Sequence, residues 1–324
     1  MAWSRAELPL RLGVSACLLG DEVRWNGGHA RSAFVARDLA RFAELEAFCP
    51  ELELGLGVPR PTIRLERDAG GEVRLVEPGS GADLGPAMDR LAGRRVGELL
   101  ARGLAGVVVK KDSPSCGLER VKVWDGAQPR RDGRGRFTAA LVAAAPLLPI
   151  EEEGRLQDPV LREHWVERVW ALHRLQGLLR SAWGVGDLVA FHTAHKLQLR
   201  AHSPAWYRAL GRLVAGAAGR PRVELADAYA EGFQACLATH ARIPHNVDAL
   251  QHLAGFLKRR LDAAARRELH DLIHDYRHRL VPLSVPLALC RHHVRAQDLG
   301  YLAAQSFLEP YPKELLLRHH VQVA

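Results

Sequence analysis

Three cysteines, Cys17, Cys49 and Cys116, stand far apart in the sequence, each in a short context suited to a tight loop: Cys17-Leu18-Leu19-Gly20, Cys49-Pro50-Glu51, and Ser113-Pro114-Ser115-Cys116-Gly117. Thiolates bind soft metals. Three of them without a fourth suit a [4Fe–4S] cluster with one open iron, or a zinc ion with one open position. The plainer reading is that cysteine is often buried and inert, and the chain has no Cys-x-x-Cys pair. Cys236 and Cys290 fall on apolar faces of predicted helices and read as core. Five cysteines is an odd number, and Met1 to Leu10 holds too short an apolar stretch for an export signal. The thiols are therefore expected to be reduced and the chain cytoplasmic, with no disulfide framework.

For three such loops to meet, the elements before them must end on one side of a sheet. Leu10 to Leu18 reads as a strand, Gly106 to Lys110 as a buried strand, and Ala47 to Glu51 as a short strand end. Ser32 to Glu46 and Asp83 to Arg102 carry helical spacing. Strands alternating with helices predict an α/β N-terminal domain with a mostly parallel sheet, over residues 1–150. In such a sheet the loops beyond the carboxyl ends of the strands converge on one crevice, which brings the three thiols together. Gly126 to Arg136 reads as a flexible basic loop.

Strand signals stop after Leu148 to Asp158. Helical patterns follow over Pro159–Trp183, Gly186–Ala201, Pro204–Ala217, Val223–His240, Asn246–Leu261, Ala263–Leu280, Pro286–Gln297 and Pro312–His320, with prolines between several of them. Residues 151–324 are thus expected to form an all-α domain. The longest apolar run, Ala139 to Ile150, is broken by two prolines, so no membrane span is expected.

The formal net charge is +8 and the pI about 9.6, which favours a polyanionic partner such as nucleic acid. Lys110 and Lys111 would lie at the crevice mouth, where adjacent cations suit a phosphate backbone; the alternative is two solvated lysines. Of the 16 histidines only His29 precedes residue 150. His192, His195, Lys196 and Arg200 are spaced to share a polar, cationic helix face, and Lys258, Arg259 and Arg260 make a second basic cluster; both suit RNA contact or simple solvation. The stripe His270, His274, His278 and the pair His192, His195 have metal-ligand spacing, but no Glu accompanies them as in zinc proteases, and no second metal site is expected. Glu51 reads either as an acid/base or as a cap or ion-pair partner of Arg60. Ser113 and Ser115 read as turn residues or as hydroxyls presented to a ligand.

Longer stretches around these residues resemble a known family. VSACLLGDEVRWNGGH (14–29), FCPELELGLGVPRPTIRL (48–65) and VVVKKDSPSCGLERVKV (107–123) are similar to the thiouracil desulfidase family. LVAFHTAHKLQLRAHSP (188–204), NVDALQHLAGFLKRRL (246–261), VPLALCRHH (285–293) and PYPKELLLRHH (310–320) resemble the helical partner domain of fused members, the tRNA 4-thiouridine desulfidases. The resemblance implies a [4Fe–4S] cluster on Cys17, Cys49 and Cys116, whose open iron takes the substrate sulfur. It also implies Glu51 as acid/base and Ser115 as the hydroxyl beside the last ligand. Non-redox conversion of 4-thiouridine in tRNA to uridine is the expected reaction, with Ser113, Arg60, Lys110, Lys111, His192 and Lys196 contacting substrate. Desulfidation of free thiouracil or a thiouridine nucleotide, and a non-catalytic zinc or RNA-binding module, are the rival readings. Members acting on the free base often carry an acidic residue shortly after the Pro-Arg-Pro stretch; here the chain continues Thr62-Ile63-Arg64, a positive charge that favours RNA.

Overall fold

The computed structural model describes residues 9–319. The N-terminal segment before Pro9 and the last residue of the predicted 312–320 helix lie outside the described residues. Pro9–Asp158 forms one compact unit, and the chain from Pro159 contributes to a second.

The first unit contains β1 (Arg11–Ser15), β2 (Glu44–Phe48), the short α1 (Pro50–Glu53), β3 (Arg64–Arg67), β4 (Val73–Val76), α2 (Gly85–Ala101), β5 (Gly106–Val109), β6 (Val121–Asp125), β7 (Gln128–Gly133), α3 (Arg136–Ala144) and β8 (Ile150–Glu152). The main sheet is parallel throughout, in the order β2-β1-β5-β8. β5 is buried at every position, as expected for an inner strand covered on both faces. Met88, Leu91, Ala92, Val96 and Leu99 form the buried stripe of α2, at helical spacing. A second sheet, β4-β3-β6-β7, is mixed, with β3 and β6 parallel and a hairpin at each edge.

Two expectations for this half are corrected, and one strand is added. The predicted helix over Ser32–Glu46 is a pair of short turns over Phe34–Arg41 followed by β2. Glu44–Phe48 has helix-forming residues, but pairing residue by residue with Arg11–Ser15 overrides that local preference. As an edge strand β2 keeps its polar side chains at or near the surface, so it shows little β-type alternation. The basic segment Gly126–Arg136 is not a loose loop, because Gln128–Gly133 forms the outer strand of a hairpin with β6. Ile150–Glu152, in the region where strand signals fade, adds the edge strand beside β5.

The second unit contains α4 (Pro159–Arg180), α5 (Val185–His202), α6 (Pro204–Ala215), α7 (Arg222–Ala238), α8 (Ile243–Leu257), α9 (Ala263–Arg277), α10 (Ser284–Ala296) and the short α11 (Gly300–Ala303). Pro204 at the first turn of α6 follows Ser203, whose hydroxyl accepts the Trp206 N–H; Asp262 caps α9 by accepting from Ala265 N–H. The predicted helix Pro312–His320 is only a 3-10 turn over Lys313–Leu315, ended by Leu316 in the left-handed region (φ 54°). α5 is shared by two hydrophobic cores: Phe191 and Leu199 pack with α4, α6 and α7, while Leu197 and Ala201 pack with α8, α9 and α10. Cys236 and Cys290 are fully buried, one in each core. Among the described residues no helix is long and apolar enough to cross a membrane.

Candidate active site

Cys17, Cys49 and Cys116 follow β1, β2 and β5, three adjacent parallel strands, and all three line one cavity of about 380 Å³. Each arrives by a different local device. β1 runs directly into a 3-10 turn, Ala16–Leu18, that holds Cys17. Cys49 sits at the N-terminus of α1 with Pro50 at the first helical position, so its sulfur faces the backbone N–H groups of Glu51 and Leu52. The Cys116 loop is stitched to the start of α3: Gly117 N–H donates to Ser113 O (2.8 Å), Gly135 N–H to Gly117 O (2.7 Å), and the Thr138 hydroxyl to Cys116 O (2.6 Å). Two glycines permit this close approach. A Cβ on Gly117 would stand 2.4 Å from Val121 Cγ2, and one on Gly135 would stand 2.5 Å from Ser115 O.

Glu51, from the first turn of α1, meets the Cys116 loop across the cavity wall. Its Oε1 accepts from the Ser115 hydroxyl (2.6 Å) and the Ser113 hydroxyl (3.3 Å). Its Oε2 takes Arg60 Nη2 (2.6 Å) and Nε (3.1 Å). The remaining Arg60 donors go to the carbonyls of Val23 and Gly57, both at 2.9 Å. Ser115 is fully buried, and its hydroxyl lies 3.7 Å from Cys116 Sγ. Ser113 Oγ also accepts the Cys116 N–H (3.1 Å). The ion-pair reading of Glu51 is the one this geometry displays: Oε2 is the partner of Arg60, and Oε1 stays on the two serines. The helix-start N–H of Cys49 is served by Glu53 instead (3.3 Å).

The thiols are protonated in these surroundings. Burial, then the neighbouring Cys49 sulfur, pushes Cys17 up to about 11. Burial also raises Cys49, opposed by the α1 N–H groups, and raises Cys116 far above the usual thiol range, with Glu51 adding to the effect. Two buried thiols and one half-buried one, all raised, are a donor set that a cationic partner would help to ionise. Among the described residues no three His, Cys, Asp or Glu side chains close on a single metal ion.

The other expected substrate contacts divide. Lys110 lines the cavity but is committed to Glu153 (2.5 Å), while Lys111 is exposed at the same cavity. Arg64 does not line it; its guanidinium pairs with Glu66 and lies 4.7 Å over the Trp124 ring. His192 and His195 are corrected outright: they are 3% and 0% exposed. From Phe191 onward α5 is wrapped on nearly every side, so His192, His195, Gln198 and His202 are turned inward. His192 Nδ1 pairs with the Tyr229 hydroxyl (3.1 Å); His195 Nδ1 bonds Phe191 O (2.7 Å), and its Nε2 accepts from Arg174 Nε (3.2 Å). Burial and Lys196 push His192 down to about 4, and burial and Arg174 push His195 well below its usual range. Neither is an RNA-facing cation. Lys196 and Arg200 are half-buried.

Two cavity residues are not singled out as site residues by the sequence reading. Ser15 accepts the Lys110 N–H (3.1 Å). Trp25 leaves 47% of its surface open at the cavity, and its carbonyl accepts the Arg60 N–H (2.9 Å). An indole in a Gly-rich loop shortly after a candidate ligand is the one available signal for Trp25.

Residues 12–153 match the family described as 2-thiouracil desulfurase. YbbK of Bacillus subtilis (strain 168), an uncharacterized protein, is 30% identical over 143 residues, which is 43% of this chain and 93% of that one. The chain belongs to the 2-thiouracil desulfurase family. All three cysteines, Glu51, Arg60, Ser113 and Ser115 fall inside the matched desulfurase region. Beyond it, residues 196–312 match a second family, a protein of unknown function (DUF1722). The uncharacterized protein YbgA of Escherichia coli (strain K12) is 32% identical over 155 residues, or 47% of this chain and 90% of that one. A solved structure titled [4Fe-4S]-dependent thiouracil desulfidase TudS is 31% identical, covering 46% of this chain and 94% of that chain, with a TM-score of 0.37.

Proposed function

We propose that this desulfurase-family chain removes the sulfur of 4-thiouridine in tRNA, leaving uridine, at a site built on Cys17, Cys49 and Cys116. The observation that carries the reading is the meeting of those three thiols with the Glu51–Ser115 pair on one cavity wall. A [4Fe–4S] cluster would be held there by the three cysteines, and its unligated iron supplies a soft Lewis acid for a thiocarbonyl sulfur.

The rest of the chemistry belongs to the chain. Glu51 is placed to take a proton from the water that attacks C4, because Arg60 fixes one carboxylate oxygen while the other faces the serines. As the C4–O bond becomes the carbonyl the C4–S bond breaks, and the sulfur leaves as hydrosulfide with a proton that came from the water. Ser115, donating its hydroxyl hydrogen to Glu51 in the resting site, can turn it toward the base. The exposed Trp25 indole offers a flat wall for a pyrimidine, and Lys111 a cation for a neighbouring phosphate. The net charge of +8 supports an RNA substrate over a free base.

The test is anaerobic turnover of 4-thiouridine-containing tRNA by cluster-reconstituted protein, with Cys49→Ala alongside and free 4-thiouracil as a competing substrate. Uridine should appear as 4-thiouridine falls, only with the intact site. Bound tRNA that keeps its sulfur on a fully loaded protein would overturn the tRNA reading, and turnover of the free base alone would move the substrate class.

A further inference from the structure

The helical unit carries an aromatic strip that neither of its cores uses. α8 turns His252 and Phe256, one helical turn apart, toward the surface, and Phe256 keeps 46% exposure. Its ring lies 5.4 Å from His252, edge to face, and 5.4 Å from Tyr301 of α11, which is itself 43% exposed. Nearby on α5, the Arg200 guanidinium is clamped on both oxygens of Asp248.

Just after Phe256, at the C-terminal end of α8, stand Lys258, Arg259 and Arg260. All three are exposed, and none forms an ion pair among the described residues. Open ring faces within a turn of unpaired cations match the two halves of an unpaired nucleotide: a base that stacks and a phosphate that needs a counter-charge. A protein partner would leave this run of cations unanswered unless it were acidic, whereas RNA satisfies rings and cations together.

Resting on the tRNA reading above, we propose that this strip seats unpaired nucleotides of the RNA substrate, with bases on Phe256 and Tyr301 and phosphates on Lys258, Arg259 and Arg260. Direct base stacking makes the ring contribution insensitive to salt, while the cation contribution is not.

The experiment is equilibrium binding of unmodified tRNA to the full chain across a salt series. Phe256→Ala with Tyr301→Ala should weaken binding by about 5- to 100-fold per stacked base and leave the slope of log K against log salt unchanged. Phe256→Trp should restore most of the affinity that Phe256→Ala removes. Lys258→Gln, Arg259→Gln and Arg260→Gln together should weaken binding and flatten the slope by about 0.7 for each phosphate no longer neutralised. Affinity within twofold of wild type after both rings are removed overturns the proposal. So does a wild-type protein that binds no tRNA, or a dimer in sedimentation that the ring substitutions dissolve without touching RNA affinity. Tight, ring-dependent binding by a protein that removes no sulfur would sustain the strip and sink the desulfidase reading on its own.

Discussion

Replacing Glu51 by Gln separates charge from shape at the centre of the proposed site. An amide can keep its oxygen on Arg60 and present its NH2 to Ser115, whose hydroxyl can rotate and accept, while Ser113 Oγ already accepts the Cys116 and Ser115 N–H groups. The hydrogen bonds to Arg60 and Ser115 therefore survive, and what disappears is the negative charge. Arg60 has a side chain only 3% exposed, so its guanidinium becomes a buried cation without a counter-ion. Removing one partner of a buried pair costs about 3–5 kcal/mol; with the hydrogen bonds to the amide oxygen and to the Val23 and Gly57 carbonyls retained, a destabilisation of about 2–3 kcal/mol is expected. The catalytic effect is larger, because an amide oxygen does not take a proton from water at neutral pH. Removing a general base slows turnover about 10²- to 10⁴-fold. The assay is single-turnover desulfidation by Glu51→Gln protein with iron and sulfide content matched to wild type, paired with denaturant unfolding. A rate within tenfold of wild type at equal cluster content would refute Glu51 as the base. Unchanged stability would refute the buried ion pair as described.

Four further outcomes follow from the same geometry. Arg60→Lys keeps the charge but not the fork, and with three donors forfeits at least one of the four hydrogen bonds; it should lower stability by about 1–3 kcal/mol, read by denaturant midpoint. Gly135→Ala forces a Cβ against Ser115 O and should cut iron incorporation more than it changes helix content, checked by iron analysis beside circular dichroism. Each of Cys17→Ala, Cys49→Ala and Cys116→Ala should fail to hold the full iron complement after reconstitution, whereas Cys236→Ala should load normally; normal iron in any of the first three would remove that residue from the ligand set. Burial holds His164 down to about 3 and His192 to about 4. The unfolded chain then binds protons that the folded chain refuses, so their contribution is complete above about pH 6.5 and declines as the medium is acidified toward pH 4. His192→Phe should flatten that decline in a pH series of unfolding midpoints, and an unaltered slope would count against the neutral, buried imidazole.

The parts of the site legible in the sequence are those fixed by local chemistry. Cys49-Pro50-Glu51 announces a helix start, and Ser113 to Gly117 a turn. GVVVK can hardly be anything but an inner strand, so the ends of β1 and β5 and the cysteines beyond them are within reach. β2 is harder. Its residues favour a helix and only its partnership with β1 makes it a strand, information that lies about thirty positions away in the chain. The second sheet is hidden for a similar reason, since β7 is nearly all polar and takes its structure from β6. The histidines of α5 mislead because polar spacing normally marks a solvent face. On a helix enclosed by two cores the same spacing marks inward hydrogen bonds, and nothing within α5 itself reports how many neighbours will cover it.

Arg60 joins Glu51 of the helix that follows Cys49 to Val23 of the strap that follows Cys17, and Glu51 in turn joins both to the serines beside Cys116. The three ligand-bearing segments are thus fastened to one another by protein atoms alone. In metallodomains that are unfolded without their metal, assembly of the centre and folding of the chain are a single event. Here the three segments also hold one another by hydrogen bonds, a source of cohesion independent of any metal bond.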